Sequence, residues 1–181
     1  MSLLKVFNGN NAGQYQIIDQ YQDISSELDA IGVRFEAWEA GQSLPEGASQ
    51  DEIIATYREN IDNLMSMYGF QSVDVVSLTA DHPDREVLRA KFLAEHVHSD
   101  FEVRFFVEGR GLFYLHVEDK VYGLMCDAGD LISVPANVKH WFDMGPSPHF
   151  KCLRLFTSPE GWVADYTGDA IAQLFPNFER F

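Results

Sequence analysis

The chain is poor in bases and in cysteine. Against 28 aspartates and glutamates stand 13 lysines and arginines, a formal charge of −15 at neutral pH. Such a surface repels phosphate backbones and anionic lipid alike, so neither nucleic acid nor membrane is expected as a partner. The same charge disfavours self-association, and a monomer is expected. Only two cysteines, Cys126 and Cys152, occur in 181 residues. That is too few for the disulfide framework of a small secreted domain, although one bridge stays open on sequence alone. Long apolar runs are missing too. The opening MSLLKVFNGNNAG has neither a basic flank with a long apolar stretch nor a small-residue cleavage site. No export or spanning segment is expected, and a reducing cytoplasm is the simplest location. Repeats and low-complexity tracts are also lacking, which sets aside solenoids and linkers.

What is present is apolar content, 46% of residues, enough to close one core within a single domain over 1–181. Helix signals lie in the first half. Ser49 and Glu52 have the spacing of a capping box, and Ile53, Ile54, Tyr57, Ile61, Leu64, Met65 and Tyr68 recur with a helical period up to Gly69. This predicts one helix over 49–69. A shorter helix is expected from Asp23 to Ile31, stopping at Gly32, and another from Asp84 to about Ala90. From Phe92 onward the pattern changes to β-type runs at 101–107, 112–117, 121–126, 130–134, 140–143 and 150–156. Gly109, Gly111, Glu118-Asp119, Gly129 and the stretch 145–148 punctuate them. A run at 73–79 is able to pair with these. The expectation is a mostly β protein: a small antiparallel barrel or sandwich over about 70–157, with helical elements of about 20–90 packed on it.

The chemistry is concentrated in HVHSDFEVRFFVEG, residues 96–109. On a strand, His96 and His98 leave the same face, ~6.6 Å apart along the backbone, and can converge on one ion. Glu102 shares their parity and lies four residues past His98, within reach after a bend. His140 opens a strand after Pro135 and can arrive from a facing wall. A single histidine is more often structural than a ligand; two on one face, with a carboxylate in phase and a third histidine on another strand, form a metal-ligand pattern. Three imidazoles and a carboxylate suit iron, nickel, manganese or zinc and do not suit calcium. His82, His116 and His149 read as loop or rim residues. Arg104 shares parity with Glu102 and should face the same cavity, where an anion would need it. Arg154, on the late strand, is a second candidate by the same logic. Glu95 points away from His96 on a regular strand, as a neighbour of the ligands rather than one of them. Phe105, Phe142 and Trp162 are candidate pocket walls, with Phe142 in phase with His140 and Phe105 out of phase with Glu102.

These residues resemble the cupin superfamily, a jelly-roll barrel whose first motif places two histidines and a glutamate ahead of a glycine, here His96, His98, Glu102 and Gly109. Gly129, Pro135 and His140 match the second motif. Ala90, Asn137 and Met144 stand where that pattern has glycine, glycine and asparagine. Over nearly the whole chain the text is similar to the acireductone dioxygenases. The phrases that carry this are GVRFEAW from Gly32, KFLAEHVH from Lys91, EVRFFVEG from Glu102, DLISVPA from Asp130, HWFDMG from His140 and PEGWVADYTGD from Pro159.

The resemblance implies a metal-dependent dioxygenase of methionine salvage, acting on an acireductone and O2 with one Fe(II) or Ni(II) per chain. Iron would give 4-methylthio-2-oxobutanoate and formate; nickel would give methylthiopropanoate, formate and carbon monoxide. It also implies that Arg104 helps form the substrate dianion and that Glu95 serves metal incorporation. Phe101 stands where relatives carry an acid, which puts an accessory role in metal loading there in doubt. A cupin sugar isomerase, or a non-catalytic ligand-binding cupin, is the alternative; oxygen dependence separates the isomerase from the dioxygenase.

Overall fold

A computed structural model describes residues 1–9, 11–40, 44–45 and 47–181. The N-terminal residues form a hairpin, β1 (Leu3–Asn8) and β2 (Asn11–Ile18), followed by α1 (Tyr21–Asp29) and β3 (Arg34–Ala37). Next come α2 (Gln50–Thr56), α3 (Arg58–Tyr68), β4 (Ser72–Leu78) and α4 (Arg85–Leu93). The remaining strands are β5 (His96–Val97), β6 (Glu102–Val117), β7 (Lys120–Asp127), β8 (Asp130–Val134), β9 (Lys139–Asp143), β10 (Phe150–Phe156) and β11 (Asp165–Tyr166).

The strands pair antiparallel in two sheets, one ordered β11-β5-β9-β6-β7-β1-β2 and the other β4-β10-β6-β8-β3. β6 belongs to both. Its first half, from Glu102, pairs with β8 and β10, and its second half, from Arg110, pairs with β7 and β9. The sequence pattern predicts two strands, 101–107 and 112–117; the structure merges them into one bent strand. Gly109 makes the bend possible: its φ is +73°, and a Cβ there would collide with the His149 carbonyl oxygen of the approaching chain. Between the sheets lies a fully buried layer that includes Phe106, Phe113, Leu115, Ile132 and Phe142.

Two other expectations change. The helix over 49–69 is divided at Tyr57, whose φ and ψ of −100° and 18° leave the helical region. Thr56 turns its hydroxyl back onto the Glu52 carbonyl at 2.8 Å, a bond that bends helices. At the break, Tyr57 buries its ring edge-on against Phe105. The Ser49–Glu52 capping box and the left-handed stop at Gly69 are both present. The first three strands, absent from the sequence reading, extend both sheets: β1 adds to β7, and β3 adds to β8. No helix among the described residues is long and apolar enough to cross a membrane.

Candidate metal centre

Three elements bring the ligand set together. β5 pairs with β9 so that His96 and His140 are directly opposite, and His140 is also opposite Leu115 of β6. After Val97 the chain leaves the ladder. The His98 carbonyl accepts from the Asn137 N–H at 2.8 Å, and Asn137 adopts a φ of +64°, the left-handed conformation that asparagine tolerates in place of glycine. The turn then delivers Glu102 as the first residue of β6.

Each imidazole is locked through Nδ1. His96 Nδ1 donates to the Ala94 carbonyl at 2.7 Å, His98 Nδ1 to Val163 at 2.8 Å, and His140 Nδ1 to Val138 at 2.8 Å. A carbonyl only accepts, so the proton sits on Nδ1 and the Nε2 lone pair is bare. Ligand atoms of the three rings lie within 4.8 Å of one another. Glu102 Oε2 is 3.7 Å from His98 Nε2 and 3.9 Å from His140 Nε2. Two atoms bound to one ion at ordinary lengths stand at most about 4.2 Å apart, so the two Glu102 spacings allow a shared centre.

His98 Nε2, His140 Nε2 and Glu102 Oε2 are fully buried and have no hydrogen-bond partner. Orphaned polar atoms at such depth are costly. A divalent cation would satisfy all three at once, and the residues present fit one.

Electrostatics agree. Burial pushes the His140 imidazole down to about 3, against the pull of the Glu102 carboxylate, so the ring is neutral at physiological pH. Burial likewise lowers His96. For Glu102 burial alone would raise the pKa, but the positive charges around it, Arg104 first, outweigh burial and hold it down to about 2. Arg104 Nε donates to Glu102 Oε1 at 2.8 Å, which leaves Oε2 for the ion. The Arg104 guanidinium rests over the rings of Phe113 and Phe142, at 5.1 and 5.4 Å.

A cavity of about 420 Å³ opens onto the centre, with His96, His98, Arg104, Arg154, Trp162 and Tyr166 in its lining. Volume does not select it, because a concavity of about 400 Å³ between β2 and α1 is lined by Asp19, Asp23 and Glu27 with no imidazole. The bare nitrogens select it. Arg154 reaches the cavity and also grips Asp74 through two hydrogen bonds of 2.9 and 2.6 Å. Phe142 lies in the core beneath Arg104 rather than in the cavity lining.

Phe105 requires a correction as a pocket wall. Strand alternation turns it to the other face of its sheet, where it packs against Trp38 and Tyr57. Phe101 also points away, stacked on Phe70 at 5.7 Å. Glu95, 1% exposed, contacts no ligand nitrogen; its carboxylate accepts from Thr167 Oγ1 and bonds His116 Nδ1, each at 2.8 Å. His116 is therefore a partner of a buried acid and not merely a rim residue. Sequence reasoning missed Tyr166, whose ring lies 5.8 Å from His96, because β11 has only two residues. Both cysteines are free and buried, and burial raises both thiols, Cys152 to about 12, which removes them from nucleophilic chemistry.

Fold and centre together define a cupin-type protein with a buried cluster of three imidazoles, beside a carboxylate, able to hold a divalent metal ion. Comparison narrows the class. The model of the ARD/ARD′ family matches residues 6–164, and the chain belongs to that family. The acireductone dioxygenase of Aquifex aeolicus is 56% identical, with 99% of this chain and 98% of that one aligned. That of Methylococcus capsulatus is 52% identical, with 100% and 97% aligned. Among solved structures, acireductone dioxygenase from Bacillus anthracis with a cadmium ion in its active centre superposes with a TM-score of 0.79. It is 30% identical, and the match covers 92% of this chain and 98% of that one.

Proposed function

We propose that this chain is an acireductone dioxygenase of methionine salvage, with His96, His98, Glu102 and His140 holding one Fe(II) or Ni(II). The observation that carries this reading is the set of three buried, unpartnered ligand atoms beside a cavity lined by arginine. When bound, the ion supplies a Lewis acid able to chelate the two oxygens of an ene-diol.

The protein's own groups do the rest. His96 and His140 stay neutral at physiological pH, so their lone pairs need no deprotonation. Arg104, fixed through Nε to Glu102, turns its remaining donors to the cavity and favours the doubly ionised substrate. Arg154 is the second guanidinium available to substrate oxygens. Trp162 offers its ring to the methylthio tail, and Phe142 supports Arg104 from below. Glu95 and Thr167 hold β11 against β5, so Glu95 positions the segment that closes the cavity. Phe101 serves packing.

In this reading the iron form yields 4-methylthio-2-oxobutanoate and formate, and the nickel form yields methylthiopropanoate, formate and carbon monoxide. Both product sets conserve the atoms of acireductone plus O2. A site of this ligand type discriminates weakly between neighbouring first-row ions. The buried free thiols suit a reducing cytoplasm, and the net charge favours a monomer without nucleic-acid or membrane partners.

The test is to load metal-free protein separately with Fe(II) and Ni(II), add acireductone in air and under nitrogen, and identify products. Oxygen uptake above the spontaneous background is expected with both ions. No excess uptake with either overturns the proposal, and turnover under nitrogen would favour an isomerase.

A further inference from the structure

Three cations line the cavity: Lys91, Arg104 and Arg154. Two are neutralised one for one. Arg104 is paired with Glu102 at 2.8 Å, and Arg154 is held by both oxygens of Asp74. Among the described residues, the side chain of Lys91 has no ion-pair or hydrogen-bond partner. It is exposed and yet part of the cavity lining, which places it at the mouth.

Its backbone is well anchored. Lys91 stands in the last turn of α4. Two residues earlier, Arg89 binds both oxygens of the fully buried Asp143, at 2.7 and 3.0 Å. One residue later, Phe92 meets Phe142 edge-on at 6.1 Å and lines the cavity itself. A flexible ammonium is thus carried on a fixed helix end beside the entrance, an uncompensated positive charge on a protein of net charge −15.

We infer that Lys91 is a specificity-determining residue that captures the substrate as an anion at the cavity mouth. This rests on the proposed function and adds the recognition step to it. An ene-diol conjugated to a carbonyl is a vinylogous acid, so an acireductone reaches the protein already carrying negative charge. The protein as a whole repels it; the local field at the entrance decides whether it enters. With Glu102 and Asp74 offsetting the two arginines, Lys91 is the unpaired side-chain cation of the lining and adds, at the entrance, to the charge of the ion bound deeper in. A mobile ammonium attracts without committing the ligand to a fixed geometry, which suits capture better than catalysis. Lys91 acts on entry and not on the chemical step, so its removal should change KM and leave kcat unaltered.

The experiment compares wild type with Lys91→Ala, Lys91→Glu and Lys91→Arg, all loaded with the same ion, over a range of salt concentrations. Lys91→Ala is expected to lower kcat/KM by about three- to tenfold at low salt, with kcat and metal content unchanged and a flatter salt dependence. Lys91→Glu should be worse and Lys91→Arg close to wild type. A second readout needs no turnover: calorimetric titration of methylthiopropanoate into metal-free protein should give weaker binding for Lys91→Ala than for wild type, with Lys91→Arg restoring it. Equal KM, equal salt slopes and equal carboxylate affinity in wild type and Lys91→Ala overturn the role of Lys91. Wild type without acireductone turnover overturns the functional reading instead, so the two failures are distinguishable.

Discussion

Acidification gives a sharp check on how the centre is built. His140 is 1% exposed, and burial pushes its imidazole down to about 3 from the ordinary 6.5, the Glu102 carboxylate pulling the other way. In the unfolded chain the same ring takes a proton near 6.5. Between those values the unfolded chain binds a proton that the folded one refuses, so stability is full above 6.5 and falls as the pH drops toward 3. At about 1.4 kcal/mol per pH unit the interval is worth on the order of 5 kcal/mol, and the part from 6.5 to 4.5 about 3 kcal/mol. Glu102 does not confuse this window. Its depressed pKa contributes stability that is present above 4.5 and fades only below it, toward about 2. The assay is urea unfolding of metal-stripped wild type and His140→Gln at about pH 7.5 and about pH 4.5. His96, lowered in the same direction, adds an acid loss common to both proteins. Wild type should lose about 3 kcal/mol more than the variant on acidification. Equal losses within about 1 kcal/mol would refute the claim that His140 is held neutral by burial.

Further outcomes are expected at single positions. His98→Ala should abolish metal retention, measured by elemental analysis after gel filtration; unchanged metal content would show that the ligand set is wrong. Arg104→Ala should keep the metal yet lose the spectral shift that marks substrate ionisation, and a normal shift would make Arg104 a packing residue. Phe105→Ala should cost about 3–5 kcal/mol of stability by opening a void against Trp38 and Tyr57. It should leave KM unchanged, whereas a raised KM would return Phe105 to the pocket wall.

The second half of the chain was legible because short β-type runs are separated by turn residues; β8 and β10 fall on the expected residues. In the first half the run at 73–79 was legible and is β4, paired with β10, but the first three strands were hidden. β1 buries four consecutive residues, including Lys5, whose Nζ donates to the Phe181 carbonyl, and its pairing partner β7 lies more than 110 residues away. β2 is an edge strand, largely exposed, with no apolar stripe to announce it. At the centre, spacing pointed to His96, His98, Glu102 and His140, and strand parity holds from Glu102 to Arg104 on β6; the turn after Val97, which replaces the single strand expected through His98 to Glu102, was not legible. The groups that aim the rings, the carbonyls of Ala94, Val138 and Val163, were invisible because a main-chain acceptor has no letter of its own. Phe105 shows the other limit: its alternation was correctly out of phase, and the phase outweighs the appeal of an aromatic side chain near a ligand.

The three carbonyl-tethered rings have a consequence for how the protein acquires its ion. Each imidazole already has its tautomer and its aim before any cation arrives, so the entropy of arranging the ligands is lost during folding and not again at loading. With the rings set in advance, ions that accept the same geometry are separated by the general affinity order and by supply. Under the proposed function, the inventory of the compartment that makes the protein thus shares with the polypeptide the decision about which element resides there.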